Sequence, residues 1–178
     1  MNRHEDAYNA VQKAFAEFEK SQSLVKNLPP PQLLQTQMLR SQMDMELPIS
    51  ERAVREQAPR SEASLNEHEK AILTQLESLR VQQGRADLGI RLFYADSLQR
   101  LGLFSKSDAY LRELATAFRS NARLFELLAQ SSRALNKPAE HHLYMAQALN
   151  ARGAFLPAIE QAEIAKRFAG DNYYLLAE

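Results

Sequence analysis

Gly102, Gly153 and Gly170 stand on a 17-residue grid, three steps and then one step apart, and Asn136 marks the step two beyond Gly102. Gly84 lies one position off the same grid. Glycine and asparagine are the residues that most cheaply take the left-handed conformation ending a helix, so a 17-residue recurrence reads as one helix and one turn, repeated. No stretch alternates with period two over the length of a strand, and the chain is expected to be all-α.

The apolar spacing fills in the elements between those stops. Tyr8, Val11, Phe15 and Phe18 share one face of a helix expected from about residue 5 to residue 26, closed by Pro29, Pro30 and Pro31, which cannot continue it. A second helix is expected from Gln32 to about Glu46, broken at Leu47-Pro48, followed by a short piece from Ser50 to Ala58. Ser64 and Glu67 make a capping-box pair for a helix carrying Ile72, Leu76 and Leu79 and closing near Gly84. Helices then follow at about 88 to 101, 105 to 119, 122 to 135, 138 to 151 and 155 to 169, with Pro138 and Pro157 in first turns. Asp171 can cap a last helix starting at Asn172. Residues 1 to 60 read as a helical extension and residues 61 to 178 as a repeat domain.

Two 17-residue units make one 34-residue period, that of the tetratricopeptide repeat, in which antiparallel helix pairs stack into a superhelix. Small residues at positions 8 and 20 of that repeat let the helices approach, position 15 is commonly Gly, and positions 24 and 27 fill the seam. From Ala139 these places hold Ala146, Ala158, Gly153, Ala162 and Ala165; from Leu88 they hold Ala95, Ser107, Gly102, Leu111 and Leu114. From Ala122 the first helix fits through Phe125, Leu128 and Ala129, but His141 occupies position 20, where a small residue is wanted. The helix from 138 to 151 must then close one pair and open the next.

Composition removes several classes of function. Twenty-two basic residues balance 22 acidic ones, 8 against 8 up to residue 60 and 14 against 14 beyond it. Broad nucleic-acid binding draws its affinity from phosphate neutralisation and is disfavoured. The chain has no cysteine, so disulfides, thiolate zinc sites and a cysteine nucleophile are excluded. No run approaches the roughly 18 to 20 apolar residues of a membrane span. MNRHEDAYNA has no apolar signal core, so a chain starting natively at Met1 is expected to be cytoplasmic.

Candidate chemistry is thin. His68-Glu69 lacks the second histidine of an HExxH zinc motif, since Ile72 stands in its place. His141 and His142 project about 100° apart on a helix, a poor geometry for sharing a metal. No G-x-S-x-G elbow, G-x-x-x-x-G-K-[ST] loop or G-x-G-x-x-G run occurs. Phe, Tyr and Met at helical spacing read as core. No catalytic residue, metal site or cofactor is expected in this chain.

What remains is the inner surface of the superhelix, built from first-helix positions 2, 5, 9, 12 and 13. On this register it carries Asp96, Gln99, Arg100, Arg123, Glu126, Gln130, Arg133, Gln147 and Asn150. Polar and of mixed charge, it suits an extended peptide or another protein's surface. A chaperone-tail clamp needs Lys and Asn at positions 5 and 9, where Leu92 and Asp96 stand instead.

The segment from Arg123 to Glu178, with Glu140-His141-His142 and then Gly153 to Gln161, resembles the repeat tail of bacterial periplasmic zinc metalloproteases of the barrel-assembly-enhancing group. Pro48, Ser50, Glu51, Arg52, Ala53 and Val54 resemble the element joining catalytic domain to repeats in that family. The chain departs from the family in lacking the HExxH domain and in carrying Leu47 where a histidine is usual. The resemblance implies a periplasmic, non-catalytic protein-binding scaffold that contacts outer-membrane barrel proteins or their assembly machinery, with no membrane insertion. A zinc metalloprotease would require a catalytic domain elsewhere on the polypeptide. A stand-alone cytoplasmic adaptor is the other expectation.

Overall fold

The computed structural model describes residues 9–13, 16–17, 32–47, 58–82 and 88–170. Every described regular element is helical: α1 (Gln32–Glu46), a 3-10 turn (Glu62–Ser64), α2 (Glu67–Gln82), α3 (Leu88–Arg100), α4 (Phe104–Ala117), α5 (Ala122–Ala134), α6 (Pro138–Ala151) and α7 (Phe155–Ala169). Each helix from α2 onward packs on its neighbours in sequence, α1 packs on α2, and α3 also meets α5. The result is an all-α helical-repeat fold in which α3 and α5 begin at Leu88 and Ala122, and α4 and α6 at Phe104 and Pro138, one 34-residue period separating each pair. Among the described residues no helix is long and apolar enough to cross a membrane.

The stops of the 17-residue grid all take positive φ: Gly102 at 77°, Asn136 at 56°, Gly153 at 76° and Gly170 at 56°. Asn136 is the single non-glycine residue to do so among the described residues. Three of these turns are built alike. The amides of Gly102, Asn136 and Gly153 donate to the carbonyls of Gln99, Arg133 and Asn150, and those of Leu103, Lys137 and Ala154 reach further back, to Leu98, Ser132 and Leu149. This is the Schellman pattern, which satisfies the last carbonyls of a helix while reversing the chain. The beat at Arg119 is made differently, for Asn121 opens α5 with its side chain accepting from the Leu124 amide.

Small residues sit where the repeat register requires close approach. Ala95, Ala129 and Ala146 at position 8 are buried, as are Ser107 and Ala158 at position 20. His141 in that place is accommodated by a substitution of chemistry. Ser107 Oγ donates to the Ala95 carbonyl at 3.0 Å, and one repeat period later His141 Nδ1 donates to the Ala129 carbonyl at 2.8 Å. The same inter-helix bond is thus made twice, and α6 pairs with both α5 and α7 as the overlapping register demands. Ala165 is fully buried, but Ala162 is exposed and does not fill the seam expected of position 24.

Two further expectations change. The cap of α2 is Asn66, not Ser64: Asn66 Oδ1 accepts from the Glu69 amide and Glu69 Oε2 accepts from the Asn66 amide, each at 2.8 Å. Ser64 closes the 3-10 turn instead, its hydroxyl donating to the Ser61 carbonyl. Packing also runs across residue 60, because Leu39, Met43 and Leu47 share a core with Ile72, Leu76, Leu79, Tyr94 and Leu98. The Arg60 amide donates to the Gly102 carbonyl, fixing the connection to the α3–α4 turn. Most of the helix expected at 5 to 26, the prolines that close it, the piece from Ser50 to Ala58, the Gly84 stop and the helix from Asn172 lie outside the described residues.

Candidate functional site

The nine residues expected on the inner surface fall into three groups. Gln99 and Arg100 do not face a ligand. Gln99 is 1 % exposed, and its Nε2 donates to the Leu127 carbonyl at 2.7 Å and to Ser131 Oγ at 2.8 Å, with Ser107 Oγ at 3.3 Å. It ties α3 to α4 and α5. Arg100 is 8 % exposed and donates to Asp44 Oδ1 and to the Met43 carbonyl, holding α1 against α3. Position 12 and position 13 at the end of α3 are therefore covered by the extension and by the next repeat, which a helix-by-helix reading places in solvent.

Asp96, Arg123 and Glu126 do come together. Arg123 pairs with Asp96 at 2.8 Å and with Glu126 at 3.6 Å, and Glu126 also receives Arg152, a residue the sequence reading did not single out. The row links α3, α5 and the end of α6. Its members are half-exposed, and such pairs are worth about 0 to 1 kcal/mol each, so a partner can exchange with them at little cost.

Gln130, Arg133, Gln147 and Asn150 form the third group. Gln130 is half-buried and Asn150 exposed, while Gln147 is half-buried with its Oε1 shielded and without a hydrogen-bond partner among the described residues. Arg133 is exposed at the end of α5. Of the three arginines expected on this face, Arg133 alone has no carboxylate partner among the described residues.

Arg133 also borders an open cleft of about 290 Å³ lined by Asn136, Lys137, Pro138, His141 and His142. His142 Nδ1 donates to Gln161 Oε1 at 2.8 Å and its ring lies flat against Phe168, with centroids 5.5 Å apart. The two imidazoles meet edge to face at 4.9 Å. Burial holds His141 below its ordinary pKa; the bond to Ala129 opposes this, and the charges of His142 and Arg133 add to it. The adjacency of His141 and His142 was visible in the sequence, but the cleft was not, since it needs the Asn136 turn to fold α6 back beside Arg133.

A second cluster lies behind the cleft. Arg112 on α4 pairs with Asp108 at 2.9 Å and closely with Glu140 on α6, and its guanidinium sits over the Tyr144 ring at 5.5 Å. Elsewhere, Glu69 of the His68-Glu69 pair is engaged by Arg60 and by the Asn66 amide.

No protein-family model, curated protein or solved structure matches the chain.

Proposed function

We propose that this chain is a non-catalytic protein-binding repeat scaffold, and that it serves as the partner-binding tail of a periplasmic metalloprotease acting in outer-membrane protein quality control. The observation that carries the binding reading is the state of Arg133. A planar guanidinium is presented on a rigid helix end with no carboxylate partner among the described residues, next to the half-buried Gln130 and beyond a row of exchangeable ion pairs. Arginine so placed can hold a partner's carbonyl or carboxylate with two parallel bonds while its stem packs on neighbours.

The periplasmic assignment, and barrel proteins or their assembly machinery as partners, rest on the sequence resemblance of residues 123–178. The departure at residue 47 fits a non-catalytic role. Leu47 is buried beside Leu39 and Met43, so that position is given to packing rather than to chemistry.

The test is capture on the immobilised chain from a periplasmic extract, comparing Arg133→Ala with Arg119→Ala, an exposed arginine on the α4–α5 turn. Loss of specific partners with Arg133→Ala alone supports the reading. Equal capture by both variants contradicts the placement of binding on the concave surface and points to the outer face or the N-terminal extension.

A further inference from the structure

In a chain of zero net charge, the cleft at the α5–α6 turn is lined by Arg133, Lys137, His141 and His142 and by no carboxylate. Asp108 and Glu140 each lie 3.8 Å from Lys137 Nζ, and both are already engaged by Arg112. Arg133 has no carboxylate partner among the described residues. Each histidine spends Nδ1 on an internal acceptor, the Ala129 carbonyl or Gln161 Oε1, which leaves Nε2 as the uncommitted atom of each ring. Phe168 fixes the plane of His142. Lys137, the cap of α6, carries no acceptor for the first-turn amides, and Glu140 is the one acid in that turn.

We propose that this cleft binds a carboxylate group of the protein partner, held by the Arg133 fork and, when its ring is protonated, by His141 Nε2. The inference rests on the protein-binding reading and names the chemistry that the site recognises. A volume of about 290 Å³ is at the lower end of ligand pockets and suits the end of a peptide or one acidic side chain. A single fork beside a lysine already shared with two acids matches a planar monoanion better than a phosphate dianion.

Binding is coupled to protons. The charges acting on His141 are those of His142 and Arg133; Lys137 shares the cleft and is itself 3.8 Å from Asp108 and Glu140, and α7 sets Gln161 and Phe168 against His142. A bound carboxylate opposes the repulsion from Arg133 and His142, favours the imidazolium and turns His141 Nε2 into a donor. Affinity therefore rises as pH falls through the His141 pKa of the complex toward the lowered one of the free protein.

The experiment is an NMR titration of the full chain, following the His141 ring protons and the Arg133 Nε–H. The probes are N-acetyl-trialanine as free acid, the same peptide as C-terminal amide, an N-acetylated Ala-Glu-Ala amide and inorganic phosphate. Saturable shifts are expected with a carboxylate-bearing peptide and not with the trialanine amide, and the two acids tell a chain terminus from an acidic side chain. Arg133→Ala should weaken binding by about tenfold or more. His141→Asn, which keeps a donor toward the Ala129 carbonyl, should remove the gain in affinity at low pH.

Equal shifts from acid and amide, unchanged affinity in Arg133→Ala, or tighter binding of phosphate than of either acid would overturn the carboxylate site. If the acids fail while Arg133→Ala still loses captured partners, the cleft inference alone falls. If the acids bind while capture is unaffected by Arg133→Ala, the cleft is a carboxylate site that the captured partners do not use, and the placement of partner binding at the Arg133 face falls.

Discussion

The segment from α1 to α3 and the segment from α6 to α7 solve helix packing in opposite ways. The first buries large side chains: Met43, Ile72, Leu76, Leu98 and Leu101 are fully buried in one cluster. Its polar contacts converge on Glu77, which takes Tyr94 Oη at 2.6 Å, Lys106 at 2.8 Å and Arg80 at 3.0 Å. The second buries alanines. The buried residues of this pair are Ala146, Ala158 and Ala165, while Phe155, Leu156, Ile159 and Phe168 on α7 remain more than half exposed; Ala148 packs the other way, into the leucine cluster of α3 to α5. A helix pair can thus be fixed either by filling space with Leu and Ile or by removing side-chain volume so that backbones approach. The difference also bears on function, since the two histidines of the cleft belong to the segment with little apolar bulk of its own, and Arg133 meets them from the end of the leucine-packed α5.

The largest effect expected from this contrast is on volume, with opposite sign in the two segments. Leu98→Ala opens a cavity in the leucine cluster and should cost about 2 to 5 kcal/mol in urea denaturation. Ala158→Leu does the reverse in the alanine seam and should destabilise by about 1 to 3 kcal/mol through overpacking. If Ala158→Leu left the midpoint unchanged, the seam would not be volume-limited and the two segments would not differ as described.

A smaller effect is expected at the turns. Gly153 has φ at 76°, and a Cβ built there meets no atom within 4 Å, so Gly153→Ala isolates the backbone term. It should cost about 1 to 2 kcal/mol, the penalty of an L side chain in the left-handed region. A neutral result would mean that the turn relaxes out of that region and that the 17-residue stops are not holding the repeat.

The smallest separation is in pH. His141 has a lowered folded pKa, so its contribution to stability is complete above the unfolded value of 6.5 and is lost as pH falls through the folded one. Glu77 is also lowered, from 4.5 to about 2; burial alone would raise it, but the bonds from Lys106, Tyr94 and Arg80 outweigh that. Its contribution is present above 4.5 and is lost as pH falls from there toward 2. Hydrogen exchange on a descending pH series should therefore show α5 and α6 losing protection before α2 and α3. His141→Asn should abolish the first phase and Glu77→Gln the second. Simultaneous loss in both segments would contradict the assignment of the two groups to separate regions.

The parts of this molecule legible in its sequence are those fixed by local rules. A left-handed residue recurring on the 17-residue grid set the turns, and Pro138 together with the apolar stripes set the bounds of α1, α6 and α7 as observed. The 34-residue register was legible as well, because Ala95, Ala129 and Ala146 are small for a steric reason that acts at one position of each helix. The functional face was harder to read. Gln99 and Arg100 have the composition of a solvated surface, and only the arrival of Ser131 from the next repeat and Asp44 from α1 buries them. The capping-box error at α2 has a similar origin, since Ser64-Glu67 and Asn66-Glu69 have the same spacing and only the 3-10 turn before the helix selects the second. His141 looked like a violation of the repeat until its bond to Ala129 was seen to repeat that of Ser107 to Ala95.

Site-specific photocrosslinking inside the cells that make the protein tests the central claim, that partners are held at the α5–α6 end of the repeat stack. A photoreactive residue would replace Lys137 or Asn150 on the proposed surface, leaving Arg133 in place, and Arg119 or Thr74 away from it, all four side chains being accessible. The account predicts discrete protein adducts from positions 137 and 150 and none above background from 119 and 74. Adducts confined to 119 and 74, or equal yields at all four, would contradict it.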